Sequence, residues 1–192
     1  VSTTADRLLD AVDIVIRQRG PSGVTLRHVG VEAGLSHTAA AHYYGDKPGL
    51  FTAYITRAYN LLGERIEQAA ALTDPREAMI EAACTYAQFA IDSPAAFSVM
   101  SRLELVHVDT PELWAARERC YFGIDAIIER QQQTGWASGR DLRDLLSTTW
   151  AFVHGFVDLW VGGPLAAPFD GEELVATLRR IFGDLLDALA DT

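Results

Sequence analysis

Apolar residues recur along this chain at three- and four-residue spacing almost throughout, and no stretch keeps the alternation of a strand. The pattern predicts an all-α protein of nine helices. Leu8, Leu9, Val12, Val15 and Ile16 share one face of a first helix from Thr4 to Arg19. Asp6, Asp10 and Asp13 lie toward its start and Arg17 and Arg19 at its end, matching the helix dipole. Gly20-Pro21-Ser22-Gly23 ends it. Thr25 is placed to cap a short second helix carrying Leu26, Val29 and Ala33; Gly34 turns the chain, and Ser36 is placed to cap a third. Asp46 is placed to cap a long fourth helix, with Lys47 and Pro48 in its first turn, reaching about Ala71.

The later helices are set by their caps. Asp74-Pro75-Arg76-Glu77 reads as a capping box with Pro at the first position, opening a fifth helix that reaches Asp92. Ser93-Pro94 opens a short sixth, and Thr110-Pro111-Glu112 a seventh that lasts to Gly135. Asp141 opens an eighth, ending at Gly162-Gly163-Pro164, and Asp170-Gly171-Glu172-Glu173 a ninth that ends near Ala190. Along the chain this predicts a three-helix head over residues 1–46, a connecting helix over 47–72, and a helical body over 73–192.

The head carries the chemistry. Thr25, Ala33, Gly34 and Ser36 supply a cap, a small contact residue, a turn and a second cap at the spacing of a helix-turn-helix. His37, Thr38 and Ala39 then fall in the first turn of the third helix, the part that enters a major groove deepest. His and Thr hydrogen-bond base edges, and an Ala or Thr methyl touches a thymine methyl. His42, Tyr43 and Lys47 follow, and Tyr hydroxyls, Lys and helix N-terminal amides suit phosphate.

Charge at first opposes this. The formal net charge is −10. Residues 1–70, however, hold seven acidic and seven basic side chains, so the excess lies wholly in the remainder. A neutral head on an acidic body suits a local DNA footprint and excludes non-specific coating of nucleic acid. Cys84 and Cys120 lie outside any metal-ligand spacing and read as reduced, buried thiols. No signal segment and no apolar run of membrane-spanning length is evident, so a cytoplasmic protein is expected. Gly-rich phosphate loops, nucleophile elbows and Cys/His catalytic spacings are missing from the sequence, which argues against an enzyme and against a cofactor or metal.

Val24-Thr25-Leu26-Arg27-x-Val29-x-x-x-Ala33-Gly34-Leu35-Ser36, followed by Tyr43-Tyr44-x-Asp46-Lys47-x-x-Leu50-Phe51, resembles the DNA-binding domain of the TetR family of bacterial transcriptional repressors. Chain length and the nine-helix plan are similar to that family from end to end. The resemblance implies a repressor that binds a palindromic DNA operator as a homodimer and is released by a small-molecule ligand. It implies base contacts or near-contacts from Arg27, His37, Thr38 and His42, and phosphate contacts from Thr25, Tyr43 and Lys47. Ala41 departs from the family, which usually has Tyr there. Trp150-x-x-x-His154-Gly155 is similar to a pattern in some of the family's regulatory domains.

The resemblance also implies that the C-terminal domain binds a ligand and dimerises through its last two helices. Tyr86, Phe89, Phe97, Met100, Trp114, Tyr121, Ile124, Trp150 and His154 are the expected lining of an apolar, aromatic cavity suited to a hydrophobic molecule, although core packing is the alternative for each. Val153, Phe156, Val157, Trp160, Leu178, Phe182, Leu185 and Leu186 are the expected subunit contacts, with Gly155 and Gly183 allowing close approach. His154 with Asp158 could hold a metal, but a hydrogen-bonded structural His fits better. A helical dimeric ligand-binding or interaction protein that leaves DNA alone is the other reading of the same stripes.

Overall fold

The computed structural model describes residues 3–36, 38–169 and 171–190. Among these, nine α-helices and three short 3-10 turns account for the regular structure, with no strand. No described helix is long and apolar enough to cross a membrane. The helices fall into two compact units. One comprises Val1–Asn60 with Ser93–Arg117, the other Leu61–Asp92 with Glu118–Thr192.

In the first unit, α1 (Thr4–Arg19) begins with a capping box: the Thr3 hydroxyl accepts from Asp6 N–H, and Asp6 Oδ2 accepts from Thr3 N–H at 2.9 Å. Leu8, Val12 and Val15 are buried, as their spacing requires. Gly20, at φ 68°, turns the chain into a 3-10 turn over Pro21–Gly23. Thr25 caps α2 (Leu26–Glu32) by accepting from His28 N–H. Gly34, at φ 66°, occupies the left-handed conformation the turn requires. The next helix, α3, is only Ala39–Tyr44.

Ser36 does not cap α3. Thr38 holds the boundary position, already helical at φ −92° and ψ −13°, and the Ser36 hydroxyl faces the Thr38 hydroxyl at 3.2 Å. The Ser36 carbonyl takes the Ala39 N–H instead, so a turn precedes the helix. Asp46 does cap α4 (Lys47–Ala70), accepting from Gly49 N–H at 2.7 Å. Residues 47–60 of α4 belong to the first unit, as do α6 (Pro94–Met100) and the start of α7 (Pro111–Gln133). Where chain order groups residues 93–117 with the body, contacts group them with the head.

The second unit is organised on α5 (Pro75–Asp92), which packs against α8 (Leu142–Val161) and most extensively against α9 (Leu174–Ala190). Arg130 of α7 donates to the carbonyls of Ala70, Leu72 and Thr73, satisfying orphan acceptors where α4 ends. Arg76 donates to the Gly183 carbonyl, and a Cβ at Gly183 would meet Arg76 and Ile80. Gly183 thus faces α5 within the chain, and such a Cβ would meet these two side chains only at ordinary contact distance. Trp136 Nε1 donates to the Leu186 carbonyl at 2.8 Å in the interior. Asp170, expected to cap α9, lies outside the described residues.

Candidate DNA-reading head and ligand cavity

The short α3 is fixed at its two ends. Ala40 is fully buried beneath it, and the Tyr44 hydroxyl donates to the Ala5 carbonyl of α1 at 3.1 Å. Burial raises the Tyr44 phenol above its ordinary pKa, so it remains a donor at neutral pH. At the other side of the turn, Arg7 donates to the Ala33 carbonyl at 2.6 Å, closing the end of α2. His28 Nδ1 lies 3.0 Å from the Gly23 carbonyl. These bonds tie the turn to α1 and to the end of α2.

Thr25, Arg27, Ser36, Thr38, His42 and Tyr43 are exposed, and Ala39 is half-buried. His37 lies outside the described residues. Among the described residues Arg27 has no ion pair, whereas Arg17 is held by Asp13 at 2.6 Å and Arg57 by Asp10 at 2.7 Å. Arg27 is thus not engaged by a carboxylate of the described chain.

Lys47 is placed differently from expectation. Its ammonium donates to the Pro21 and Ser22 carbonyls at 3.2 and 3.3 Å and lies 5.6 Å above the Phe51 ring. Lys47 is therefore first a tie between α4 and the turn after α1, with one of its three N–H donors left over. Sequence spacing held no sign of this, because the carbonyl partners lie 25 and 26 residues away.

His107 joins the head from the α6–α7 connection. Its Nε2 sits 3.0 Å from Asp46 Oδ1, and its backbone N–H donates to Thr52 Oγ1. The Gly49 amide first, and then His107, hold the Asp46 carboxyl below its ordinary pKa.

In the second unit an apolar cavity of about 50 Å³ lies among α4, α5, α7, α8 and α9. Ile66, Met79, Ala82, Ala83, Ile127, Ile128, Val153 and Phe182 form most of its wall. Of the expected lining, Tyr86, Ile124, Trp150 and His154 reach it. Phe89, fully buried, and Tyr121, half-buried, are elsewhere in that unit; Phe97, Met100 and Trp114 belong to the first unit. Trp114 is half-exposed with the Arg117 guanidinium over its ring.

His154 meets Tyr86, with the hydroxyl 2.6 Å from Nδ1, and the Trp150 ring stacks on it at 5.1 Å and 12°. His154 is thus a hydrogen-bonded side chain within the protomer. No cluster of three or more metal-binding side chains occurs among the described residues.

The expected subunit contacts need correction. Val153, Phe156, Val157, Leu178, Phe182 and Leu186 are between 0% and 8% exposed within the single chain, so they are core and have almost no surface to give a partner. Trp160 and Leu185 stay partly exposed. Trp160 and Phe156 are further covered by Phe169, whose ring lies 5.5 Å from Trp160 and 6.5 Å from Phe156. A different edge of α8 remains open. Thr148, Phe152, Gly155 and Leu159 recur along it at three- and four-residue spacing, and a Cβ at Gly155 would meet nothing within 4 Å. On α9, Ile181, Leu185 and Ala188 keep accessible area at the same spacing.

Residues 79–182 match the family model of the tetracyclin repressor-like C-terminal domain. The chain is 36% identical over 141 residues to the HTH-type transcriptional regulator BetI of Brucella anthropi, covering 69% of this chain and 73% of that protein. It is 30% identical over 92 residues to an HTH-type transcriptional regulator of Mycobacterium tuberculosis, over 47% of this chain and 46% of that one. That match spans about half the relative's length. Among solved structures, a protein of unknown function from Rhodococcus sp. RHA1 shares the fold, with a TM-score of 0.83 at 21% identity over 99% of this chain and 97% of that one.

Proposed function

The chain belongs to the TetR family of transcriptional regulators, and from that membership we propose that it is a cytoplasmic DNA-binding repressor, acting as a homodimer on a palindromic operator and released by a hydrophobic small molecule. The observation that carries the reading is the exposed face of the helix-turn-helix. Thr25, Arg27, Thr38, His42 and Tyr43 are exposed around a turn tied down by Arg7 and Tyr44. Arg27, free of any ion pair among the described residues, reads a base or its neighbour; Thr25, Tyr43 and the remaining N–H of Lys47 take phosphates. Ser36, His37 and Ala39 complete the set of residues proposed to contact DNA.

Two such heads must meet successive major grooves, which a two-fold dimer provides. The open edges of α8 and α9, with Gly155 at their centre, are the face assigned to that contact. A ligand in the second unit's cavity favours one dimer geometry over another, so ligand and operator oppose each other through linkage. Selection of bound fragments from random duplex DNA tests the reading: a palindromic or near-palindromic consensus is expected, bound with steep salt dependence. Absence of any bound fragment at low salt would instead establish a helical ligand-binding dimer that leaves DNA alone, the reading favoured by Ala41 and by the engaged ammonium of Lys47.

A further inference from the structure

The cavity of the second unit is too small as it stands for an ordinary effector. Its space of about 50 Å³ holds a few waters, whereas small-molecule sites usually span roughly 300–1,000 Å³. Something in its wall must move. Ile127 and Ile128 are 1% and 0% exposed, and displacing them would break the core. Trp150 is 40% exposed, the most open side chain of the lining, and is held there by its flat stack on His154. Turning one surface indole outward opens the cavity with little disturbance to the packing behind it.

The lining also states what can enter. It has no Asp, Glu, Lys or Arg, so a formal charge would arrive without a counter-charge and lose its hydration. The Thr149 hydroxyl is already donated to the Leu145 carbonyl at 2.8 Å. Polar recognition therefore falls on the Tyr86–His154 pair. The two side chains come from different helices and meet at 2.6 Å, and a single oxygen inserted between them would take over hydrogen bonding from both.

We propose that this site takes an uncharged, largely hydrocarbon molecule bearing one hydroxyl or carbonyl oxygen, which enters by displacing Trp150 and replaces the Tyr86–His154 hydrogen bond. The proposal rests on the ligand-release reading above but is tested apart from it.

Four ten-carbon probes, decane, decanol, decanone and decanoate, are titrated against the full chain by tryptophan emission and, independently, by calorimetry. Decanol and decanone should bind about tenfold more tightly than decane, the value of one hydrogen bond. Tyr86→Phe combined with His154→Leu removes both partners of the ligand oxygen and should erase that preference, while decane still binds and so reports that the cavity is intact. The emission change should vanish in Trp150→Phe although calorimetric binding persists. Equal binding of decane and decanol, tighter binding of decanoate than decanol, or no binding of any of the four overturns the proposal. The same probes are then added to the complex with a selected operator duplex. Binding without release of DNA supports this site and refutes the release reading alone.

Discussion

Gly155 is the position where the dimer reading meets its sharpest test. It lies in the middle of α8, half-buried, and a Cβ built there meets nothing within 4 Å of the single chain. Considered as a protomer alone, Gly155→Leu should stabilise. Glycine inside a helix costs about 0.8–1 kcal/mol relative to a good helix former, and the added Cβ meets no neighbour that offsets the gain. That corresponds to a rise in Tm of about 2–4 °C for a chain of this size.

If the open edge is the subunit contact, the sign reverses. Forcing extra carbons into a packed contact costs about 1–3 kcal/mol, and a two-fold interface meets the substitution twice. The combined penalty of about 2–6 kcal/mol raises the dimer dissociation constant from roughly thirtyfold to more than 10⁴-fold. Sedimentation equilibrium over a dilution series reads this directly, and Tm measured against protein concentration checks it, since a dimer's Tm depends on concentration. A Gly155→Leu protein that keeps the native dissociation constant and melts higher at every concentration would refute the assignment of this edge.

Four further substitutions test the same structure. Phe182→Ala removes a ring that is 2% exposed and stacked on Phe152, and should cost about 3–5 kcal/mol in urea unfolding at fixed protein concentration; a loss under about 1 kcal/mol would mean the site is not core. Arg27→Ala should weaken operator binding by about 1–3 kcal/mol with little effect on random duplex, whereas Lys47→Ala should weaken both and flatten the salt slope by about one. Lys47→Ala should also lower stability by about 0.5–1.5 kcal/mol by removing its hydrogen bonds to the Pro21 and Ser22 carbonyls, and unchanged stability would contradict the tie. Asp46 is held below its ordinary pKa by the Gly49 amide and His107. Its contribution is therefore complete above the unfolded carboxylate value and is lost as pH falls through the lower folded value. Asp46→Asn should make the acid side of the Tm profile shallower, and an unchanged acid limb would contradict this.

Much of the helical plan is legible in the sequence, because caps and periodicity are local. Thr25, Asp46 and Asp141 cap the helices expected of them, and α5 ends at Asp92 as expected. Gly34 marks the turn because it adopts a conformation that side chains disfavour. The exception within the head is Ser36. Two potential caps, Ser36 and Thr38, lie two residues apart, and only the turn geometry selects between them.

Sequence alone determined an all-helical chain with a helix-turn-helix near its start and two strongly apolar helices near its end. Periodicity identifies an apolar face but carries no information about what covers it. That is why Val153, Phe156 and Leu178 read equally well as subunit contacts and as core, and only the packing of α5, α8 and α9 made them core. The packing of α5 against α8 also brings Tyr86 to His154 across 68 residues of chain. In the first unit, α6 packs on α1 and groups residues 93–117 with the head, and the Lys47 ammonium reaches carbonyls of the turn after α1. Each of these is a contact between distant segments, and such contacts are set by the tertiary structure, not by local spacing.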